Sequence, residues 1–369
     1  MELQRLWITD FRNYRSGELD LGPGLTVVTG GNGMGKTNLL EAVGYLATTT
    51  SMRGAPPEAL VRSGCLRAVV RGEGRRGGRE VLVEAEIVAG GRGRMAVNRQ
   101  SVRRVADLAE ALVCSVFSPD DLDLIKGPPS SRRRFLDDLL VALSPKFDAR
   151  RRDLDRIVRQ RTALLRQIAG AGRRLMPASS EESTLAVWDA KLIEVGEEVG
   201  RARVELVACL QPQLDRAYQA LAGDRPSPVS AAYDADWRQF GLAAALAHAR
   251  DDELRRGVCL VGPHRDDMSL ILGGLPGRTH ASQGEQRTLA LACRLAGHHL
   301  VTEQLGEAPI LLLDDVFSEL DDDRSRALIA DLPRGQSILT TTGGVPEGAV
   351  ADRVVRLTDP GQLGVGAGG

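Results

Sequence analysis

The sequence predicts an α/β fold, a mixed sheet with an antiparallel lobe around a phosphate site, carrying an inserted, mainly α-helical domain. Three observations predict it. "VVTGGNGMGKTNLLEAV" sets a glycine-rich loop between a β-branched run and a periodic helix. "PILLLDDVFSELDDDR" ends an apolar run in two carboxylates, as a buried strand with a polar carboxyl end would. Between them, residues 126–254 read mostly as helix, so a head made from 1–125 and 255–369 would carry an insert at 126–254.

Composition sets the outer bounds. A chain of 369 residues, 43% hydrophobic and 26% charged, can bury a substantial core. No run approaches the ~18 apolar residues of a membrane span, and "MELQRLWITDFRNY" lacks the layout of a secretory leader, so the expectation is a cytoplasmic protein with no membrane partner. The five cysteines include no C-x-x-C pair, which argues against a disulfide framework or zinc knuckle. Net charge is -1, yet Lys126 to Arg174 holds fourteen Lys/Arg against five Asp. Such a stretch could bind a polyanion or form solvated helix faces, and Arg132, Arg133, Arg134, Arg150, Arg151 and Arg152 are the candidates for phosphate contacts.

In chain order, "LQRLWITDF", "GELDL" and "LTVVTG" read as strands, followed by Ala68–Arg71 and the alternating "EVLVEAEIV", with a Gly-rich turn returning through "AVN". After Pro128-Pro129-Ser130-Ser131 a helix carries Leu136, Leu139, Leu140 and Leu143 on one face. Two further helical runs, Leu154 to Ile168 and Leu185 to Leu206, predict an antiparallel hairpin. Each arm is expected to last three to five turns before Gly170-Ala171-Gly172 or Pro212 ends it. His298 and His299 are expected on a surface, and the tail "GQLGVGAGG" is expected to be disordered.

The loop Gly30, Gly31, Asn32, Gly33, Met34, Gly35, Lys36, Thr37 fits G-x-x-x-x-G-K-[ST] and opens the helix at Asn38. Its glycines let backbone N–H groups curl around a phosphate, Lys36 adds a point charge, and the Thr37 hydroxyl suits Mg²⁺. Asp314 at the end of the second strand would share that Mg²⁺, and Asp315 would orient or deprotonate an attacking water. Ser282, Gln283, Gly284 and Glu285 form a turn before an apolar helix, an anion site made of backbone N–H groups and the helix dipole. One copy of the chain already has a phosphate cradle, so this turn is expected to cap a triphosphate held by a second copy, in an ATP-dependent homodimer.

Together the phosphate loop, "SQGEQ", "LLLDDVFSELD" and the "TTT" strand at 340–342 resemble an ABC-type ATPase head of the SMC-like kind. "ITDFRNY", "FSPDDLDLIKGPPSSRRRFLD" and "VGPHRDDM" resemble the RecF family of bacterial recombination mediators, over Leu3 to about Thr342. The resemblance implies ATP and Mg²⁺ as cofactors and an ATP-joined dimer clamping double-stranded DNA near single-strand gaps. It also implies RecO- and RecR-type mediators and a RecA-type recombinase as partners, and Arg12 and Asn13 near the nucleotide. Asp315 replaces the usual Glu, which implies slow hydrolysis. A Q-loop glutamine and a switch histidine have no counterpart, with "VFSPDD" and "LTTTGG" in their places; His264 in "VGPHRDD" is either a loop-shaping or a structural residue. The alternative function, the ATPase subunit of an ABC transporter, fits poorly with the long separation of the two phosphate motifs and with "SQGEQ" in place of the transporter pattern.

Overall fold

A computed structural model describes residues 1–102, 104–171, 180–223 and 226–363. The chain opens with β1 (Glu2–Phe11), β2 (Tyr14–Asp20), β3 (Leu25–Thr29), α1 (Lys36–Thr48), α2 (Pro57–Leu60), β4 (Arg67–Arg76), β5 (Arg79–Val88), β6 (Arg94–Val97), β7 (Gln100–Val102), α3 (Val105–Ala109) and β8 (Cys114–Phe117). Then come α4 (Pro129–Leu143), α5 (Phe147–Ala171), α6 (Ser180–Leu221), β9 (Val229–Asp234) and α7 (Leu242–Arg256). The chain closes with β10 (Asp267–Leu272), β11 (Leu275–Pro276), α8 (Gly277–His280), α9 (Gln283–Leu305), β12 (Ile310–Asp314), α10 (Asp322–Ala330), β13 (Ser337–Thr341) and β14 (Arg353–Arg356).

Six strands, in the order β2-β1-β4-β5-β6-β7, form the antiparallel lobe, whose outward residues alternate with a buried row including Ile8, Val70, Ala85 and Ile87. A second sheet, β14-β3-β13-β12-β8, is parallel throughout. Every residue of β12 and β13 is buried, which explains the apolar run of β12 up to Asp314, and α1 packs between the two sheets with Leu39, Leu40, Val43 and Leu46 fully enclosed. In such sheets ligands bind beyond the carboxyl ends of the strands.

The helical segment is longer and less separate than the sequence suggests. Helix α6 runs 42 residues, about 63 Å at 1.5 Å per residue, straight through Pro212. Pro212 and Ala208, whose carbonyl loses its helical partner, both lie on the exposed side, so water can satisfy the freed group, while Leu210, Leu214 and Tyr218 stay packed on α9. Helix α5 extends 25 residues and lies antiparallel to α6, with Leu154 and Ile157 in one cluster with Leu192, Val195 and Val199, and Leu165 beside Leu185. The break expected at "AGAGRRLMPASSEES" lies largely outside the described residues. The boundary expected at 254 falls inside α7, and β9 on one side of it pairs with β10 on the other. The second half of α6 shares one core with α9, β12 and β13.

Two local expectations are corrected. His298 is 2% exposed, because α9 is enclosed on nearly every side by α4, α6 and the parallel sheet; burial drives its pKa down to about 3. His299 is half-buried. The first residues of the expected disordered tail are docked: Leu363 is 8% exposed and Gln362 bridges to Ser16, whereas residues 364–369 lie outside the described chain.

Candidate nucleotide site

The phosphate loop leaves β3 at its carboxyl end and turns into α1 through Gly33 (φ 80°) and Gly35 (φ 107°), a backbone shape that residues with a side chain resist. A Cβ at Gly35 would lie 2.7 Å from the Asn13 amide and 2.9 Å from the Tyr14 hydroxyl, so glycine is required there for close approach as well. Lys36, 7% exposed, folds back so that Nζ donates to the carbonyls of Gly30 (2.8 Å) and Gly31 (3.0 Å). The loop is thereby closed on its own lysine, with the space above Gly33 open.

Thr37 and Asp314, 277 residues apart, meet: the Thr37 hydroxyl donates to Asp314 Oδ1 at 2.9 Å. Strand β13 lies between β3 and β12, and its Thr340 hydroxyl donates to the same oxygen at 2.7 Å. Burial raises the Asp314 pKa above the usual carboxylate range, and the bonds from Thr340 and Thr37 and the charge of Arg53 oppose that rise. Asp315 has left-handed backbone geometry (φ 48°) and its N–H donates to the Thr340 carbonyl at 3.1 Å. Its Oδ1 is buried without a protein partner, an unsatisfied acceptor beside the strand ends.

The Ser282 turn caps α9 as a capping box. Ser282 Oγ accepts from the Glu285 N–H at 3.3 Å, and Glu285 Oε2 accepts from the Ser282 N–H at 2.8 Å. The hydrogen bonds from Ser282 hold the Glu285 carboxyl below its usual range. Gln286 is buried and donates to the carbonyls of Gly277 and Arg278, fixing the turn on α8, while Ser282 and Gln283 face solvent. Ser282 and Glu285 thus bond each other, Ser282 and Gln283 remain open to solvent, and the Arg324 guanidinium stands against Gly284.

The remaining expected site residues divide. Asn13 touches the phosphate loop, donating from Nδ2 to the Met34 carbonyl (3.3 Å) and accepting from Asn38 Nδ2 (2.8 Å). Arg12 (φ 53°) grips the buried Glu41 of α1, the helix that the loop opens, with two bonds of 2.7 and 2.9 Å and the Ala59 carbonyl with a third. As a DNA-facing residue Arg132 is corrected, being 5% exposed and spent on Asp267 (2.7 and 2.8 Å) and the carbonyls of Leu124 and Gly127. Arg133 donates to the Asp266 carbonyl, Arg150 pairs with Glu198, and Arg151 and Arg152 both pair with the buried Asp148; Arg134 is exposed. His264 is buried, its Nε2 3.4 Å from the Cys259 carbonyl, its Nδ1 without a protein partner, and its pKa lowered to about 4 by burial.

Three features were missed. Arg53, exposed on the loop after α1, places its charge near Asp314. Tyr14 donates to the Gly35 carbonyl at 3.0 Å. The "VFSPDD" turn is tied to α9 through Asp121, whose Oδ1 accepts from Arg294 Nε (2.9 Å) and Nη2 (2.7 Å). Asp121 and Arg294 stand 173 residues apart, and nothing in the sequence pairs them.

A family model described as the RecF/RecN/SMC N terminal domain matches residues 2–354. The chain is 41% identical over 394 residues to the DNA replication and repair protein RecF of Pseudarthrobacter chlorophenolicus, covering 96% of this chain and 97% of that protein. It is 44% identical over 349 residues to RecF of Streptomyces avermitilis, covering 92% and 93%. A solved structure described as the recombination mediator protein RecF-ATPrS in the RecFOR pathway superposes with a TM-score of 0.88 at 26% identity, covering 98% and 97%. An Smc head bound to the C-winged helix domain of ScpA (TM-score 0.57, 16% identity, 98% and 96% covered) shares the ABC-type ATPase head fold alone. The family match across almost the whole chain, and relatives above 40% identity over more than nine-tenths of it, place this chain in the RecF family of DNA replication and repair proteins.

Proposed function

We propose that the chain is an ATP-gated, DNA-binding recombination mediator. Two copies would close on ATP and hold double-stranded DNA near single-strand gaps. With RecO- and RecR-type partners they would help load a RecA-type recombinase. Slow hydrolysis would reset the clamp. The single observation that carries the reading is a site complete on one side only. Lys36, Thr37, Asp314 and the unpartnered Oδ1 of Asp315 converge beyond the parallel strands, while the anion-binding turn at Ser282 to Glu285 offers its open face outward.

The residues fit the nucleotide and its metal. Thr37 and Asp314 are hard oxygen donors, and among the described residues no group of three or more His, Cys, Asp or Glu forms a full metal cage. Mg²⁺ usually takes one or two protein oxygens and fills its sphere with waters and phosphates. When bound it would neutralise charge on the phosphate oxygens. Lys36 would exchange its loop carbonyls for β- and γ-phosphate oxygens, Thr340 would keep the Asp314 carboxylate aimed at Thr37, and Asp315 would hold the attacking water. Asp315 is one methylene shorter than the usual Glu, which would make turnover slow. Within the proposed clamp, residues 1–125 and 255–369 act as the head and the helices of 126–254 as an arm whose later part is built into the head core.

Gap-DNA binding by gel shift with ATP, with ADP and without nucleotide, at two salt concentrations, tests the reading. Binding should require ATP and fall steeply with salt, because the contacts are to phosphates. Ser282→Arg should leave nucleotide binding by the single chain intact and abolish the ATP-induced dimer in sedimentation. A dimer that persists in Ser282→Arg would rule out the composite site.

A further inference from the structure

Residues 357–363, which follow β14, stay on the molecule and cross beside the phosphate loop. The Leu357 N–H donates to the Thr29 carbonyl at 2.8 Å, extending the β14–β3 pairing to the last residue before the loop. A Cβ on Gly30 would lie 2.9 Å from the Leu357 carbonyl oxygen. Gly361 (φ 74°) lies against the β1–β2 turn so closely that a Cβ there would fall 2.1 Å from the Asn13 carbonyl oxygen. Its N–H points to the Met34 carbonyl at 3.5 Å, the same oxygen that accepts from Asn13 Nδ2 at 3.3 Å. Gln362 then bridges to Ser16, and the buried Leu363 fills the space over Gly17, where a Cβ would lie 2.5 Å from Leu363 Cδ1.

We propose that residues 357–363 are a strap that positions the phosphate loop for nucleotide binding, with Gly361 and Leu363 as its positioning residues. The inference rests on the reading of the loop as an ATP site. The Met34 side of the loop has no strand of its own to hold it. It is held by Asn13 and Tyr14 on the β1–β2 turn, and that turn is in turn pinned by Gly361 and Leu363. A loop whose N–H groups must converge on a phosphate loses affinity when its frame shifts by fractions of an ångström. Leu363 anchors the strap in the antiparallel-lobe core, so the strap couples that core to the loop's rim.

The strap reaches the loop from the side away from Asp314, whose partners are Thr37 and Thr340. Loss of the strap should therefore weaken ADP and ATP alike and leave events after binding unchanged. A fluorescent nucleotide titration tests this on the full chain. Leu363→Ala and Gly361→Ala should each weaken ADP and ATP by about tenfold, and the exposed Gln362→Ala should not. At saturating ATP the Leu363→Ala protein should form the same ATP-induced dimer as the parent. Gly17→Ala should also weaken binding, and Gly17→Ala combined with Leu363→Ala should recover part of it, because the added methyl occupies the vacated space. Parent-like nucleotide affinity in Leu363→Ala and Gly361→Ala, with only a lower melting temperature, would overturn the strap. Failure of the parent chain itself to bind ATP would instead overturn the nucleotide reading.

Discussion

At the phosphate site, Thr37 and Asp314 hold one another, Lys36 leans on loop carbonyls, and Asp315 keeps a buried oxygen with no protein partner. In the helical segment the opposite holds. Arg161 is fully buried and bound by Asp189 at 2.7 Å and Glu253 at 2.5 Å, and Arg203 by Asp137 with two bonds of 2.8 and 2.9 Å. The phosphate site keeps polar capacity in reserve; in the helical segment these two buried arginines have used theirs. The lesson is that a run of like charges along the chain need not be a charged surface. Arg132 finds Asp267 at 135 residues' distance and Arg161 finds Glu253 at 92, because a buried arginine without a counter-charge is too costly to fold.

That contrast can be broken in several ways. The largest effect should come from Lys36→Ala, which removes the loop's point charge and should weaken nucleotide binding by on the order of 100-fold or more, read by calorimetric titration, with little change in melting temperature. Arg161→Met should act the other way round, leaving Glu253 buried without its counter-charge and Asp189 with Arg250 alone. A loss of about 3–5 kcal/mol in denaturant unfolding is expected, with nucleotide affinity per folded molecule preserved.

A smaller effect should appear on acidification. The folded His298 has its pKa lowered from 6.5 to about 3 by burial, so below about pH 6.5 the unfolded chain takes up a proton that the folded chain refuses. Stability should fall as pH drops from that point towards 3, and His298→Leu should flatten the part of the decline between pH 7 and 5 in urea midpoints. A slope identical to the parent's would mean that His298 is protonated in the fold. The smallest stability effect belongs to Arg150→Ala, whose pair with Glu198 is solvent-exposed on both sides: less than about 1 kcal/mol. If Arg150→Ala cost as much as Arg161→Met, the distinction between buried and exposed pairs would not hold.

Much of the site was legible in the sequence. The phosphate loop is a local object, eight consecutive residues whose glycines and lysine act on their own neighbours, and β12 announced itself by an apolar run ending in Asp314-Asp315. The turn from Ser282 to Glu285 was legible as a helix start, whereas the capping box by which these two residues bond each other came from the structure. Pro212 misled because a proline's cost depends on whether the freed carbonyl meets water, and that depends on which face of α6 it occupies. His298 misled because polarity predicts exposure only when no neighbouring helix covers the position.

The sequence by itself determined the local chemistry: which backbone can cradle a phosphate, which strand ends in carboxylates, and which turn can cap a helix. These are set by interactions over a few residues, so their residue types and spacing suffice. Only the tertiary structure decided what stands opposite what. It brought Thr37 to Asp314 across 277 positions, Arg294 to Asp121 across 173, and Gly361 against Asn13. Such pairings depend on the packing of whole sheets and helices, whose free energy is shared among many buried contacts and written at no single position.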